Sequence, residues 1–289
     1  MKPAPFEYAD PRTVDEALGH LAQHGDDAKI LAGGQSLVPM LNFRLARPAL
    51  IVDINRDGGL GGLTHVDGTL RIGALVRQRQ LEGWARDRSP LLVAALSLVG
   101  HAAIRNRGTV AGSIVHADPA AELPALLLAL DGVAVARSSR GERRIAADEL
   151  FQGPLMTSLA ADELVTETRL PLPNPGDGWG FHEVARRHGD FALVGAVATL
   201  RLRGGRIDTA RVAVFGAGPT PRRLRDAERS LAGQPPAAAL FREAAAQATR
   251  ELPTHDDIHA TADYRRTVAA TLVARALADA SGRAKDQSR

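Results

Sequence analysis

Two glycine-containing loops carry the residues whose types and spacing best suit chemistry. The first glycine loop (residues 33–36, Gly-Gly-Gln-Ser) follows an apolar, strand-like run, and the second glycine loop (residues 108–113, Gly-Thr-Val-Ala-Gly-Ser) lies in mid-chain. Glycine lets backbone N–H groups approach a phosphate, and Ser and Thr hydroxyls add donors without charge. Neither loop has a P-loop lysine or the G-x-G-x-x-G of a Rossmann turn. Either loop alone is more simply explained as a tight turn, but the two together favour a dinucleotide site.

Acidic residues follow the second glycine loop in the stretch HADPAAELP. Asp118 and Glu122 are the carboxylates available there to pair with ribose hydroxyls, as the acid of a Rossmann fold does. An alternative for Glu122 is a first-turn residue that complements a helix dipole. His116 is more simply a structural or solvent-facing histidine than a catalytic one.

The first glycine loop should lie in a small α/β unit, and the second in a region with a different pattern. Thr13 and Glu16 form a capping box that predicts a helix ending at Gly25. Asp67-Gly68 lies between two alternating runs and predicts a hairpin. The further expected strands are residues 29–32, 50–54, 133–136, 163–170, 179–185, 193–203 and 207–215, the last two joined by a Gly-Gly turn.

Helices are expected on both sides of a boundary at residues 171–180, which contain three prolines and three glycines. A polar loop should lead from residue 104 into an apolar helix that ends near residue 131. The other expected helical segments are residues 37–45, 90–99 with Ser89 as its cap, 222–231, 237–250 and 264–280, and the tail after Ser281 is expected to fray. These patterns give three domains, residues 1–60, 61–175 and 176–289.

Composition narrows the function classes. The 289 residues carry a formal net charge of +3 and contain no cysteine. The chain alone therefore cannot form a disulfide, a thiolate nucleophile, a cysteine zinc site or a cysteine-ligated iron–sulfur cluster. The arginines are dispersed with few aromatic residues between them, which disfavours a nucleic-acid groove. No run is long and apolar enough for a membrane span or signal peptide, so we expect a cytoplasmic protein without nucleic-acid or membrane partners.

Four stretches together resemble a known family. ILAGGQSLVPMLNFRLARP and IRNRGTVAGSIVHADPAAELPALLLALD resemble the two FAD-binding signatures of the flavoprotein (medium) subunit of molybdenum hydroxylases, the carbon monoxide dehydrogenase and xanthine dehydrogenase family. FHEVARRHGDFALVGAVA and DDIHATADYRRTVAATLVARAL resemble the family's third landmark and C-terminal helix entry. The resemblance implies an α+β chain: an FAD-binding PCMH-type (vanillyl-alcohol oxidase-like) fold of two α+β subdomains, then a C-terminal domain of sheet and helices.

The resemblance also implies which residues contact FAD. Residues 31–37 of the first signature would bind the FAD diphosphate. Thr109, Gly112 and Ser113 of the second signature would contact it from the other side. Val99 and Leu159 match apolar positions beside the rings, and Phe191 matches an aromatic position near the isoalloxazine. No role is assigned to His182 or Glu183, which stand where some relatives carry lysine. The implied contacts are Leu31, Ala32, Gly33, Gly34, Gln35, Ser36, Leu37, Val99, Thr109, Gly112, Ser113, Asp118, Glu122, Leu159 and Phe191, with no catalytic or metal-binding residue.

The resemblance further implies an electron-transfer role. Electrons would leave substrate at a molybdenum cofactor on a large subunit, cross [2Fe–2S] clusters on a small subunit and reach FAD on this chain, in a dimer of heterotrimers. FAD would pass them to NAD⁺, a quinone, oxygen or another acceptor. Two alternatives stay open: a stand-alone FAD oxidoreductase of the same fold that acts on a small substrate, and a nucleotide-responsive binding or scaffold protein without redox chemistry.

Overall fold

The N-terminal part of the chain is a small parallel α/β unit. The computed structural model describes residues 1–287. Three parallel strands pair in the order β1-β3-β2, and the capping-box helix begins where the sequence predicts, because Thr13 Oγ1 accepts a hydrogen bond from the Glu16 N–H at 3.2 Å. The elements are β1 (Glu7–Ala9), α1 (Val14–His24), β2 (Ala28–Leu31), α2 (Leu37–Asn42) and β3 (Leu50–Asp53).

The middle part is built on a five-stranded antiparallel sheet in the order β4-β5-β10-β6-β7. The predicted hairpin at Asp67-Gly68 is confirmed, and both residues have positive φ, 49° and 72°. The elements are β4 (Leu63–Val66), β5 (Thr69–Gly73), α3 (Gln78–Ala85), α4 (Pro90–Leu96), α5 (Ala102–Arg107), α6 (Val110–His116), α7 (Glu122–Ala129), β6 (Val133–Ser138), β7 (Gly141–Ala146), α8 (Ala147–Leu150), β8 (Phe151–Gly153), β9 (Met156–Thr157) and β10 (Leu164–Pro171).

The C-terminal part packs three helices on an antiparallel sheet in the order β11-β12-β13-β14. The Gly204-Gly205 turn is confirmed between β12 and β13, with φ of 57° and 74°. The elements are β11 (Gly178–Ala185), β12 (Ala192–Arg203), β13 (Arg206–Phe215), β14 (Arg222–Arg223), α9 (Arg225–Leu231), α10 (Ala238–Thr249) and α11 (Ala262–Gln287). None of the described helices has the length and apolarity needed to cross a bilayer.

The structure differs from the sequence expectations at several points. The polar loop before α7 is largely helical, since α5 and α6 occupy most of it. The short elements β1, α3, β7, α8, β8 and β9 were not predicted. Ser89 stands at the N-cap position of α4 as predicted, with Pro90 as the first helical residue, but its side chain makes no capping hydrogen bond. The chain after Ser281 does not fray at once: Ser281 and Ala284 are buried and α11 continues to Gln287, while residues 288–289 lie outside the described residues.

The C-terminal sheet contacts the middle part directly. Arg223 donates a hydrogen bond to the Leu128 carbonyl at 2.9 Å and to Asp131 Oδ1 at 2.6 Å. The Gly216 N–H donates to the Pro119 carbonyl at 2.7 Å. One face of the C-terminal sheet shares a hydrophobic core with the two preceding sheets, and α9–α11 cover a second core on its other face. The segment after α6 is therefore held between two parts of the fold.

Gly19 offers a simple test of the α1 assignment. It lies in the exposed middle of α1, and a Cβ built there meets no atom within 4 Å. Gly19→Ala should raise the free energy of unfolding by about 0.5–1 kcal/mol, because glycine loses more backbone entropy in a helix than alanine does. Urea denaturation of both proteins measures the change. A loss of stability would contradict the helical assignment at this position.

Candidate cofactor-binding site

The first glycine loop connects β2 to α2 through a backbone conformation that favours glycine. Gly34 has a φ of +73°, and a Cβ there would lie 3.2 Å from Leu31 Cδ1 and 3.3 Å from Val38 Cγ2. Ser36 precedes α2, but its hydroxyl makes no capping hydrogen bond. The hydroxyl is therefore available to a ligand.

The second glycine loop is shaped by a side-chain cap at the start of α6. Thr109 Oγ1 accepts a hydrogen bond from the Gly112 N–H at 3.0 Å. A Cβ on Gly112 would lie 2.5 Å from that oxygen, so glycine is required for the cap. Because Oγ1 acts as an acceptor within the loop, its own hydrogen remains free to donate to a ligand.

The two glycine loops are in direct contact. A Cβ on Gly33 would lie 2.6 Å from the Arg107 carbonyl oxygen, 2.8 Å from Gly108 Cα and 2.9 Å from the Thr109 nitrogen. All three are backbone atoms, so neither loop can make room by a side-chain rotation. The glycine at position 33 thus sets how closely the loops approach.

A cleft of about 600 Å³ opens beside this contact and runs between the N-terminal and middle parts, with residues 189–191 of the C-terminal part on one rim. This volume lies in the range of small-molecule and cofactor sites. The sequence-predicted contacts that border it are Ala32, Gly33, Gly34, Gln35, Ser36, Leu37, Val99, Thr109, Gly112, Ser113, Asp118, Glu122, Leu159 and Phe191. Leu31 instead borders an adjoining cavity of about 360 Å³, which residues 32–35 also line.

The cleft also has polar residues that sequence reasoning did not assign to it. Gln78, at the start of α3, is 4% exposed, and its Oε1 accepts no hydrogen bond from the described residues. An unpaired buried acceptor costs free energy, so Gln78 fits a donor supplied by a bound molecule. His116 and Gly189 also border the cleft. The signal for Gly189 was available, since it is the glycine of the Arg-His-Gly-Asp run before Phe191.

A loop from the C-terminal part forms one rim of the cleft. Phe191 is 72% exposed there. Gly189 has a φ of +84°, and a Cβ on it would overlap the imidazole of His101. His101 and His188 form an edge-on ring pair with centroids 6.3 Å apart. The rim is thus packed against the segment that leads into α5.

The cleft is bordered by the buried carboxyl group of Glu122. Glu122 is the first residue of α7 and is 7% exposed. Burial, and then the charge of Asp118, raise its pKa to about 7. Burial lowers the pKa of His116, and the negative charge of Asp118 partly offsets this decrease. An uncharged carboxyl can donate as well as accept a hydrogen bond, so Glu122 can bind a hydroxyl in either state.

Glu183 faces Glu122 from the C-terminal sheet. It lies on β11 two residues after Phe181, which packs on Phe215, and so shares the face that meets the middle part. His182 lies on the opposite face and contacts Asp279 of α11 at 3.2 Å. Burial, and then the charge of Glu122, raise the pKa of Glu183 to about 8, and its Oε2 accepts no hydrogen bond from the described residues.

Glu183 should make stability depend on pH. The pKa of its carboxyl is raised to about 8 in the folded protein, from an ordinary value of 4.5. The stability that this carboxyl contributes is fully present below its pKa in the unfolded chain. It is lost as the pH rises towards its pKa in the folded protein. We expect the melting temperature to fall between about pH 5 and pH 8 and the fall to be smaller in Glu183→Gln. The control is Glu142→Gln on exposed β7, and equal slopes in all three proteins would contradict the assignment.

The fold and the sequence match two family models over most of the chain. The model described as the FAD binding domain in molybdopterin dehydrogenase matches residues 4–173. The model of the CO dehydrogenase flavoprotein C-terminal domain matches residues 179–280. The chain therefore carries an FAD-binding domain, as the family resemblance of its two glycine-loop stretches implies.

Individual relatives agree with the family models. The chain is 43% identical to the 6-hydroxypseudooxynicotine dehydrogenase complex subunit alpha of Paenarthrobacter nicotinovorans, covering 99% of this chain and 97% of that protein. It is 42% identical to the caffeine dehydrogenase subunit beta of Pseudomonas sp. strain CBB1, covering 98% and 97%. A solved carbon monoxide dehydrogenase from Hydrogenophaga pseudoflava superposes with a TM-score of 0.95 at 37% identity, covering 98% of this chain and 99% of the matched one. The chain belongs to the FAD-binding medium subunits of the carbon monoxide dehydrogenase and xanthine dehydrogenase type of molybdenum hydroxylases.

Proposed function

We propose that this chain holds FAD non-covalently in the cleft, with the pyrophosphate between the two glycine loops. The observation that carries the proposal is the contact at Gly33, which places the two loops side by side along one cleft. The donors offered there are backbone N–H groups and the hydroxyls of Ser36, Thr109 and Ser113. They bind an anion without a lysine.

The remaining cleft residues suit the other parts of the molecule. The carboxyl groups of Asp118 and Glu122 match hydroxyl groups, and Val99 and Leu159 supply apolar contact for flat rings. Phe191 on the rim would lie near the isoalloxazine and influence which acceptor approaches. FAD supplies the redox chemistry when bound, and the protein supplies position and electrostatics.

Family membership and composition both support the proposed electron path. With no cysteine, this chain cannot ligate an iron–sulfur cluster through thiolates. Relatives named as medium subunits or medium chains belong to a nicotine 6-hydroxylase and to carbon monoxide dehydrogenases. We therefore assign to partners a large molybdopterin subunit and a small [2Fe–2S] subunit, in a cytoplasmic dimer of heterotrimers. This chain passes their electrons to an external acceptor.

Co-expression with the proteins encoded beside this gene tests the electron path. We expect a large and a small subunit to co-purify with the chain, and the flavin absorbance of the complex to bleach anaerobically with the substrate of the large subunit. Omission of the small subunit should abolish the bleaching. Full turnover of that substrate by the isolated chain would instead support a stand-alone oxidoreductase and overturn the proposal.

Glu122 provides a local test of the cleft assignment. Glu122→Ala should weaken FAD binding by about 1–3 kcal/mol, the range for losing a hydrogen bond that involves a charged group. Glu122→Gln should lose less, because the amide retains an acceptor and a donor. Fluorescence titration of the apoprotein measures both. An unchanged dissociation constant in the alanine variant would assign Glu122 to the helix start alone.

A further inference from the structure

Arg77 links the second glycine loop to a residue outside the cleft. It lies directly before α3, and its Nη1 donates a hydrogen bond to the Arg107 carbonyl at 2.6 Å. Its Nη2 donates to Asn55 Oδ1 at 2.6 Å. Among the described residues, neither Arg77 nor Asn55 borders the main cleft, and Asn55 borders the adjoining cavity of about 360 Å³. Both terminal nitrogen atoms of one planar guanidinium therefore donate within the protein.

Asn55 continues the link to the first glycine loop. Its Nδ2 donates to the Ala32 carbonyl at 2.8 Å, directly before Gly33. Its amide is oriented by Asp53, whose Oδ1 lies 2.6 Å from Nδ2 and 2.9 Å from the Asn55 backbone nitrogen. Tyr8 donates its hydroxyl hydrogen to the other Asp53 oxygen at 2.7 Å. The Asn55 side chain is thus fixed before any ligand binds.

The link ends on the same atom that limits the approach of the loops. The Arg107 carbonyl oxygen accepts from Arg77 and is also the nearest atom to the position of a Cβ on Gly33. Backbone hydrogen bonds add to this: the Gln78 N–H donates to the Gly108 carbonyl at 2.9 Å, and the Val110 N–H donates to the Val76 carbonyl at 3.0 Å. Arg77 consequently moves with the second glycine loop.

We infer that the Arg77–Asn55 bridge, the chain of hydrogen bonds from the Arg107 carbonyl through Arg77 and Asn55 to the Ala32 carbonyl, sets the spacing of the two glycine loops. Arg77 and Asn55 are positioning residues, which act through the backbone carbonyls of the two glycine loops. The inference rests on the proposed binding of the FAD pyrophosphate between these loops. Loops held at the correct spacing lose less conformational freedom on binding, which raises affinity without any new contact.

The bridge predicts a specific pattern of FAD affinities. Arg77→Met and Asn55→Ala should each raise the FAD dissociation constant about 10-fold, the change expected from the loss of a charge-assisted hydrogen bond. Because both changes break one bridge, the double variant should bind FAD no more weakly than the weaker single variant. The matched control is Arg86→Met, which removes an exposed arginine at the other end of α3 and should keep wild-type affinity.

The experiment is a fluorescence titration of each apoprotein with FAD, together with the melting temperature of each apoprotein. Wild-type affinity in Arg77→Met, or additive losses in the double variant, would overturn the inference. Wild-type apoprotein that fails to bind FAD would instead overturn the proposed function, so the two failures are distinguishable.

Chemical rescue separates positioning from general destabilisation. Arg77→Ala should recover FAD affinity when guanidinium chloride is added well below denaturing concentrations, because the ion can occupy the vacated site and donate to both oxygens. Sodium chloride at the same ionic strength should have no such effect. Without added salt, Arg77→Lys should retain only part of the wild-type FAD affinity, since one ammonium group cannot reproduce the two parallel hydrogen bonds of the guanidinium. Equal responses to the two salts would overturn the inference.

Discussion

Gly33→Ala should weaken FAD binding by about 100-fold or more, equivalent to about 2.7 kcal/mol. The new methyl group would lie 2.6–2.9 Å from backbone atoms of residues 107–109, well inside van der Waals contact. Backbone cannot move aside as a flexible side chain can, so the two glycine loops must separate. Donors that converge on one pyrophosphate would then lie too far apart to bind it together.

The matched control for this change is Gly61→Ala. Gly61 is exposed in the same half of the chain, and a Cβ built there meets no atom within 4 Å. We expect wild-type FAD affinity in the control, by fluorescence titration of the apoproteins. The melting temperature of each apoprotein reports separately whether the fold survives. Wild-type affinity in Gly33→Ala would mean that the loop contact does not control binding.

Gly180→Ala should lower the free energy of unfolding of the C-terminal part by about 3 kcal/mol or more, at the upper end of the cost of overpacking a core. Gly180 lies on β11 where α11 crosses the sheet. Its Cβ would overlap the Ala276 carbonyl oxygen and lie 2.7 Å from Ala276 Cα. Gly178 meets the backbone of Ala280 in the same way, one turn further along α11. The helix would have to move off the sheet.

Gly282→Ala is the control for this second change, because Gly282 lies on α11 itself and a Cβ there meets no atom within 4 Å. We expect this control to keep or slightly raise stability, since alanine favours a helix interior. Thermal and urea unfolding measure both variants. A wild-type melting temperature for Gly180→Ala would contradict the close packing of α11 on β11.

The accuracy of the sequence predictions depended on how local the signals were. The hairpins at residues 67–68 and 204–205 and the start of α1 depend on short-range turn and cap chemistry, and each is confirmed. Strand β7 was missed because its residues 142–144 are charged and exposed, so no hydrophobic alternation marks an edge strand. Helices α5 and α6 were missed because Gly108 and Gly112 suggested a loop. In the structure Gly108 packs closely against Gln78, and Gly112 leaves room for the Thr109 side-chain cap.

For the candidate site too, local sequence signals could be read, but contacts between distant residues could not. The glycine loops could be found from residue types, because few patterns bring bare backbone close to an anion. Their mutual contact at Gly33 could not, since it joins residues more than 70 positions apart. Glu183 had a partial signal: it alternates with Phe181 on a buried strand face, which places a carboxyl among apolar side chains. The proximity of Glu183 to Glu122 could not be predicted, because it arises only when the C-terminal sheet packs on α7.

The most direct test of the central claim compares FAD with FMN. The two share the isoalloxazine, but FMN lacks the pyrophosphate and adenosine that two opposed glycine loops are proposed to hold. Titration of the apoprotein should show one saturable FAD site per chain and at least about 100-fold weaker binding of FMN, a difference of about 2.7 kcal/mol. Equal affinity for the two flavins, or no saturable FAD binding, would contradict the assignment of the two glycine loops.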